Sequence, residues 1–436
     1  MFPDRLRFVL GVGLVAVGAA AFAVAFRESL AWLYRAVYQA SDVVDAVAGL
    51  PRWLRFAVPV AAAGIAGLIA RTRTGPSQGV SNVMEAIALG RVQLSMRTTV
   101  SRVSSSWSAI AGGMSIGREG PLIEFGGAFG AAVGQRLGTS LTDTRLLVAA
   151  GTAAGFAAAY NTPFAATLFV LETMAGVAAP ALLLPTMAAT VMAAAVTRSV
   201  AGAGPLYGLR SYELTSYLEF LSVAAIAVAS AGGAAAFKRV LAITERWFEA
   251  SAMPQPARAM TGGAVVGLLA MWLPDVAGNG YEPLHRLLDT PLPLAAVVVL
   301  VGAKVVATSS SVASGVPGGI FTPMLLIGAA IGTAWAQLVG VAPAAAAAGS
   351  YVLIGMAATT AASIHAPLTA AVMIFELSGD YAIVLPLLLA TVVATVTSRG
   401  LGSRSVYDAE LSRRGVGWDL TLEGRTVTRT SGADRA

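Results

Sequence analysis

Residues 117–121 read Gly117-Arg118-Glu119-Gly120-Pro121, and 202 positions further on the chain reads Gly319-Ile320-Phe321-Thr322-Pro323. Each ends on a Pro at the start of an apolar segment, where a proline's missing N–H does no harm to a helix. Gly126 and Gly130 then meet Gly328 and Gly332 at the same offset. Beyond them Gly151–Glu172 aligns with Gly355–Glu376 at an offset of 204. There Gly151 meets Gly355, Pro163 meets Pro367 and Glu172 meets Glu376, and Asn161-Thr162-Pro163-Phe164 faces His365-Ala366-Pro367-Leu368. Order and spacing, more than any single match in an Ala- and Gly-rich chain, make this an internal repeat. Two halves with interrupted segments at corresponding positions point to a transport site at the repeat interface. An odd number of crossings per half would invert the halves, and inversion is the expected arrangement.

Composition sets the solvent. Of 436 residues, 56% are hydrophobic and 12% charged, against ~25% charged in ordinary soluble proteins. Two soluble domains or a disordered chain are excluded by so few charges. At ~20 residues per span the apolar residues suffice for at most about a dozen membrane helices. The 47 Gly and 20 Pro speak for broken helices, which lipid tolerates only around protein or a water-filled cavity. Apolar segments run at about 8–26, with an amphipathic continuation to Tyr38, and at 55–70, 144–160, 180–200, 212–236, 258–273, 293–308 and 383–398. The first is read as a retained helix, being longer than a signal-peptide core. Shorter segments, Gly79–Leu89, Pro121–Val133, Pro163–Met174, Phe321–Leu338 and Pro367–Leu377, are expected to start inside the membrane.

Arg5 and Arg7 precede the first span, and seven Arg lie between Arg399 and Ala436 against five acids. The positive-inside rule therefore places both termini in the cytoplasm. The net charge of +6 reflects orientation and gives no reason to expect nucleic acid. No Cys and two distant His, His285 and His365, leave no basis for a metal centre, and no cofactor is implied. Isolated acids also lack the pairing an embedded enzyme would need, and Gly-Arg-Glu-Gly-Pro lacks the Lys-Ser/Thr of a phosphate-binding loop. A receptor or scaffold would not need paired broken helices.

A helix N-terminus carries unpaired N–H groups and about +0.5 of an elementary charge. The segments at Gly117–Pro121 and Gly318–Pro323 could aim two such ends at one point and bind an anion with no buried cation. Glu119 is a carboxylate between apolar segments, a functional candidate by default. Ionised, it competes with the anion; protonated, it loses that attraction and can leave. The bland alternatives are a self-capping glutamate and a pair with Arg118. Arg118 could equally help the anion approach.

These residues resemble the CLC family of chloride channels and chloride/proton antiporters, over about residues 8–400. Gly117–Pro121 matches its Gly-Arg-Glu-Gly-Pro, Gly319–Pro323 its Gly-x-Phe-x-Pro, and Ser378-Gly379-Asp380-Tyr381 with Leu385-Pro386 resembles its pore-tyrosine segment. The resemblance implies an all-α polytopic membrane protein, an inverted repeat with many tilted and broken helices. Its halves lie at about 40–200 and 212–400, followed by a short cytoplasmic tail, 401–436, too short for paired CBS domains. It implies a homodimer in the cell's inner (plasma) membrane that carries chloride and protons. It makes Glu119 the gating glutamate and the backbone N–H groups of Ile320 and Phe321, with the Tyr381 hydroxyl, the chloride ligands. A neutral hydroxyl can hold an anion without trapping it; a Tyr at this point could also belong to an interfacial belt. Lys304 falls where relatives carry a lysine, adding positive potential to the inner pathway or pairing with a carboxylate.

Two departures stand out. The family's Gly-Ser-Gly-Ile-Pro is replaced by Pro76-Ser77-Gln78-Gly79-Val80-Ser81. Gln78 takes the place of the chloride-binding serine, and Ser77, one residue upstream, could substitute for it. In Leu171-Glu172-Thr173-Met174 the second of two acids found in many family antiporters is Thr173, which cannot ionise. Glu172 points about 100° away, and its repeat mate Glu376 suggests a structural role for both. The leading expectation is a chloride/proton antiporter; a passive chloride channel of the same fold is the alternative.

Overall fold

The computed structural model describes residues 2–71, 79–90, 94–175, 180–202, 204, 206–208, 219–289, 292–340, 346–413, 416–421 and 424–429. Eighteen α-helices occur among them. The first half holds α1 (Phe2–Leu33), α2 (Val43–Gly49), α3 (Arg52–Arg71), α4 (Val80–Leu89), α5 (Met96–Ala111), α6 (Glu119–Leu137), α7 (Leu141–Tyr160), α8 (Pro163–Val170) and α9 (Pro180–Ala201). The second holds α10 (Glu219–Ala250), α11 (Gln255–Ala270), α12 (Tyr281–Asp289), α13 (Leu294–Ala313), α14 (Phe321–Leu338), α15 (Ala346–Ile364), α16 (Pro367–Ser378), α17 (Val384–Gly400) and α18 (Val406–Arg413). One helical turn of π type, Tyr34–Tyr38, continues α1, and another, Leu171–Ala175, continues α8. Among the described residues six helical stretches are long and apolar enough to cross a membrane, from Asp4–Gly49 to Phe321–Leu338.

All five short segments expected from the sequence are helices, starting within two residues of the predicted Gly or Pro. The repeat is visible in the backbone. Asn161 and His365 end α7 and α15 at φ 58 and 54, and Thr162 and Ala366 follow at φ/ψ −122/79 and −125/78. Each pair of residues turns the chain sharply into a proline-led helix, α8 or α16.

The glycines found by alignment are crossing points. A Cβ on Gly126 would strike the carbonyl of Gly151, and one on Gly328 the carbonyl of Gly355. Gly130 and Gly332 meet the carbonyls of Leu147 and Tyr351 in the same way. The pairs α6/α7 and α14/α15 therefore cross with backbones in contact, as small residues allow in membranes.

The sequence reading missed α5, whose buried face mixes Thr99, Ser105 and Ser106 with Val103, Ala109 and Ile110. Ser105 donates to the Ala66 carbonyl at 2.8 Å, and Arg102 forms a bidentate pair with Glu124 at 2.8 and 2.9 Å. The segment expected at 212–236 is a helix from Glu219 that runs on to Ala250. The tail also differs from a simple appendage. After a turn at Leu401 and Gly402, α18 packs into the body with Leu411 buried, and a two-stranded antiparallel hairpin, β1 (Val416–Thr421) and β2 (Gly424–Arg429), follows.

Candidate functional site

Two N-termini meet head to head where the sequence placed them. Gly117 and Gly319 exchange both backbone hydrogen bonds, N–H to carbonyl at 2.7 and 2.8 Å, in an isolated antiparallel bridge. They are repeat mates, so the bridge ties corresponding points of the two halves. Glu119, the first residue of α6, is 2% exposed and reaches across to α14. Its Oε1 accepts from the Phe321 N–H at 2.8 Å and from the Thr322 N–H at 3.4 Å; its Oε2 is buried with no partner among the described residues. The carboxylate thus occupies the positive end of another helix, where an anion would bind. A Cβ on Gly117 or Gly319 would overlap that carboxylate. Glycine at both positions is what leaves room for it.

Around this carboxylate lies a cavity of about 210 Å³. It is lined by the first residues of four helices: Val80 and Ser81, Glu119 and Gly120, Phe321, and Val406 and Tyr407. Ile320 lines it too, beside Phe321. A second cavity, about 280 Å³, is lined by Ile116, Arg118, Arg27, Asp42 and Glu282. The two share no lining residue. The segment 116–121 is the partition, with Ile116 and Arg118 lining one cavity and Glu119 to Pro121 the other.

The structure brings Glu119, Ile320 and Phe321 together. It does not bring Tyr381 to them. Tyr381 stands 80% exposed in the turn between α16 and α17, its ring edge-on to Phe375, as a surface tyrosine would. Tyr407 takes the predicted place, lining the cavity with its ring 5.9 Å from that of Phe169. It was hidden because the sequence beyond Arg399 read as tail. Its signal is the apolar stripe of Val406, Tyr407 and Leu411 among charges. Ser77 and Gln78 lie outside the described residues; of that motif, Gly79, Val80 and Ser81 line the cavity.

Lys304 is not at the site either. It is fully buried and donates to the carbonyls of Val276, Ala277 and Gly278 at 2.9, 3.4 and 2.8 Å. An ammonium has three donors, and all three go to this turn, so Lys304 holds backbone and lines neither cavity. Arg118 faces the cavity away from Tyr407. The Thr173 hydroxyl, 1% exposed, donates to the Phe169 carbonyl of its own helix.

Glu172 and Glu376 exchange roles between halves. Glu172 accepts from the N–H groups of Leu368 and Thr369 at 3.0 and 2.8 Å and from the Thr369 hydroxyl at 2.7 Å. Glu376 accepts from the N–H groups of Phe164 and Ala165 at 3.1 and 2.8 Å. Each carboxylate caps the helix that carries the other. Glu172→Ala strips two orphan N–H groups and a hydroxyl of their acceptor, a loss of about 2 kcal/mol. The expected result is a lower melting temperature in detergent, with a smaller drop for Glu376→Ala, which loses two donors' acceptor.

A family model described as voltage gated chloride channel matches residues 62–399. The chain belongs to this CLC family. Among its relatives is a ClcB-like chloride channel protein of Ralstonia nicotianae, 36% identical over 413 residues, 92% of this chain and 96% of the relative. The voltage-gated ClC-type chloride channel ClcB of Escherichia coli O157:H7 is 32% identical over 423 residues, 92% and 97% of the two chains. The CLC fold itself is shared with solved structures. A slow cyanobacterial Cl⁻/H⁺ antiporter superposes with TM-score 0.84 at 22% identity, covering 94% of this chain and 98% of that one. A CLC-type fluoride/proton antiporter gives 0.75 at 21% identity, covering 93% and 98%. The match confirms the α-helical membrane fold that the motifs implied.

Proposed function

We propose that this CLC protein exchanges chloride for protons across the cell's inner membrane, with Glu119 alternating between anion seat and proton carrier. The observation that carries this is the Glu119 carboxylate hydrogen-bonded to the N–H groups of α14. A carboxylate and an anion cannot share those donors, so an anion enters when Glu119 takes a proton and leaves. Moving the proton one way therefore accompanies anions moving the other. The relatives named as chloride channels support chloride as the anion. Ile320, Phe321 and Tyr407 line the cavity from which it would be held.

Both termini are assigned to the cytoplasm by their Arg content, with two inverted halves between them. The protein acts as a homodimer with one pathway in each subunit. Support comes from the exchanged caps: the half-exposed Glu172 and Glu376 sit beside exposed Phe164 and Leu368. Carboxylates facing lipid are expensive, and a second copy over this face would shield them.

Thr173 favours the alternative of a passive channel, since its hydroxyl is engaged within its own helix. Purified protein in liposomes loaded with high chloride and diluted into low chloride separates the two. Antiport draws protons inward as chloride leaves, raising external pH. A channel leaves external pH unchanged, and that result would refute the exchange.

A further inference from the structure

Exchange needs a route for protons between the tail side and Glu119. Glu172 is tied by three donors at the head of α16, and Thr173 has no ionisable proton. Glu124 lines the central cavity but is held bidentate by Arg102, with both side chains nearly buried. A different feature joins the cavity to the outside. Between α10 and α18 lies a groove of about 820 Å³, containing the exposed Arg239, Arg246, Glu249 and Arg404 and the half-buried Lys238.

Groove and central cavity share three lining residues, Leu241, Glu245 and Val406. Leu241 and Val406 are apolar, so among the described residues Glu245 is the one titratable group common to both. On the cavity side it shares the space with Arg102 and Glu124 of α5 and α6, and with Tyr407 and Glu410 of α18. Glu119 lines the same cavity, and its buried Oε2 has no hydrogen-bond partner among the described residues. A carboxylate oxygen left without a donor is where an incoming proton would be received. The cavity has room for several waters, each taking roughly 30 Å³ in the liquid.

We infer that Glu245 is the residue through which protons pass between the groove and the central cavity, in place of the carboxylate that Thr173 lacks. The step balances simply. The carboxyl O–H of Glu245 releases its proton to a cavity water and becomes a carboxylate. The water passes a proton to the Glu119 carboxylate, which becomes neutral and gives up the Phe321 N–H. Glu245 is then reprotonated from the groove.

This inference rests on the exchange proposed above, and the test separates the two. Proton and chloride fluxes are measured together in liposomes for the wild type and for Glu245→Gln, Glu245→Asp and Glu249→Gln. Glu245→Gln is expected to lower the proton-to-chloride ratio at least about ten-fold. Glu245→Asp restores the ratio, and Glu249→Gln, altered in the groove alone, keeps it. A wild-type ratio carried unchanged into Glu245→Gln overturns the role of Glu245, whether or not both fluxes fall together. A wild type that moves chloride with no protons overturns the exchange itself, and this route with it.

Discussion

Glu119→Gln is expected to lower the proton-to-chloride ratio by about 100-fold and to remove the dependence of chloride flux on pH. Charge-assisted hydrogen bonds are worth about 1.5–3 kcal/mol, or roughly 10–150-fold in occupancy of the seat. The carboxylate now makes one such bond at 2.8 Å to Phe321 and a longer one to Thr322. A neutral amide keeps the shape and loses the charge, so an anion displaces it at any pH. It also has no proton to carry. Paired flux measurements in liposomes check both effects. Coupling and pH dependence like those of the wild type would remove Glu119 from the mechanism.

Gly319→Ala is the second large effect expected, and it acts through space rather than charge. The added methyl falls on the Glu119 carboxylate, at the point where the two halves are bridged. Either the carboxylate is forced out or the Gly117–Gly319 bridge opens, and overpacking of this kind costs about 1–3 kcal/mol. Because the methyl also intrudes on the anion's place, chloride flux is expected to fall about 5–150-fold. Gly302→Ala on α13, where a Cβ would meet nothing within 4 Å, is the control and is expected to transport normally. Flux through Gly319→Ala equal to that of the control would mean that the bridge does not border the anion path.

The sequence was most informative where one residue type has one mechanical use. Prolines at 121, 163, 323 and 367 marked helix starts, and the paired glycines marked crossings, because few alternatives satisfy those backbone demands. Glu119 was legible because a carboxylate between two glycines at a proline-led helix start has few other reasons to exist. Helix α5 was not, since Arg102 and Ser105 turn inward and break the apolar pattern. Tyr381 and Tyr407 show the limit of motif position. Both follow a turn that ends a helix, and only the packing of α18 into the body tells the surface ring from the cavity ring. Lys304 was placed on the right helix, but its three carbonyl partners come from a turn 26–28 residues upstream, which no local pattern announces.

The exchanged caps carry a timing consequence. Phe164 is synthesised 212 residues before Glu376, the carboxylate that receives its N–H. At about 5–20 residues per second, the head of α8 waits roughly 10–40 s for its partner. Through that interval the first half sits in the bilayer with a clasp undone, and translation of the second half is what fastens it.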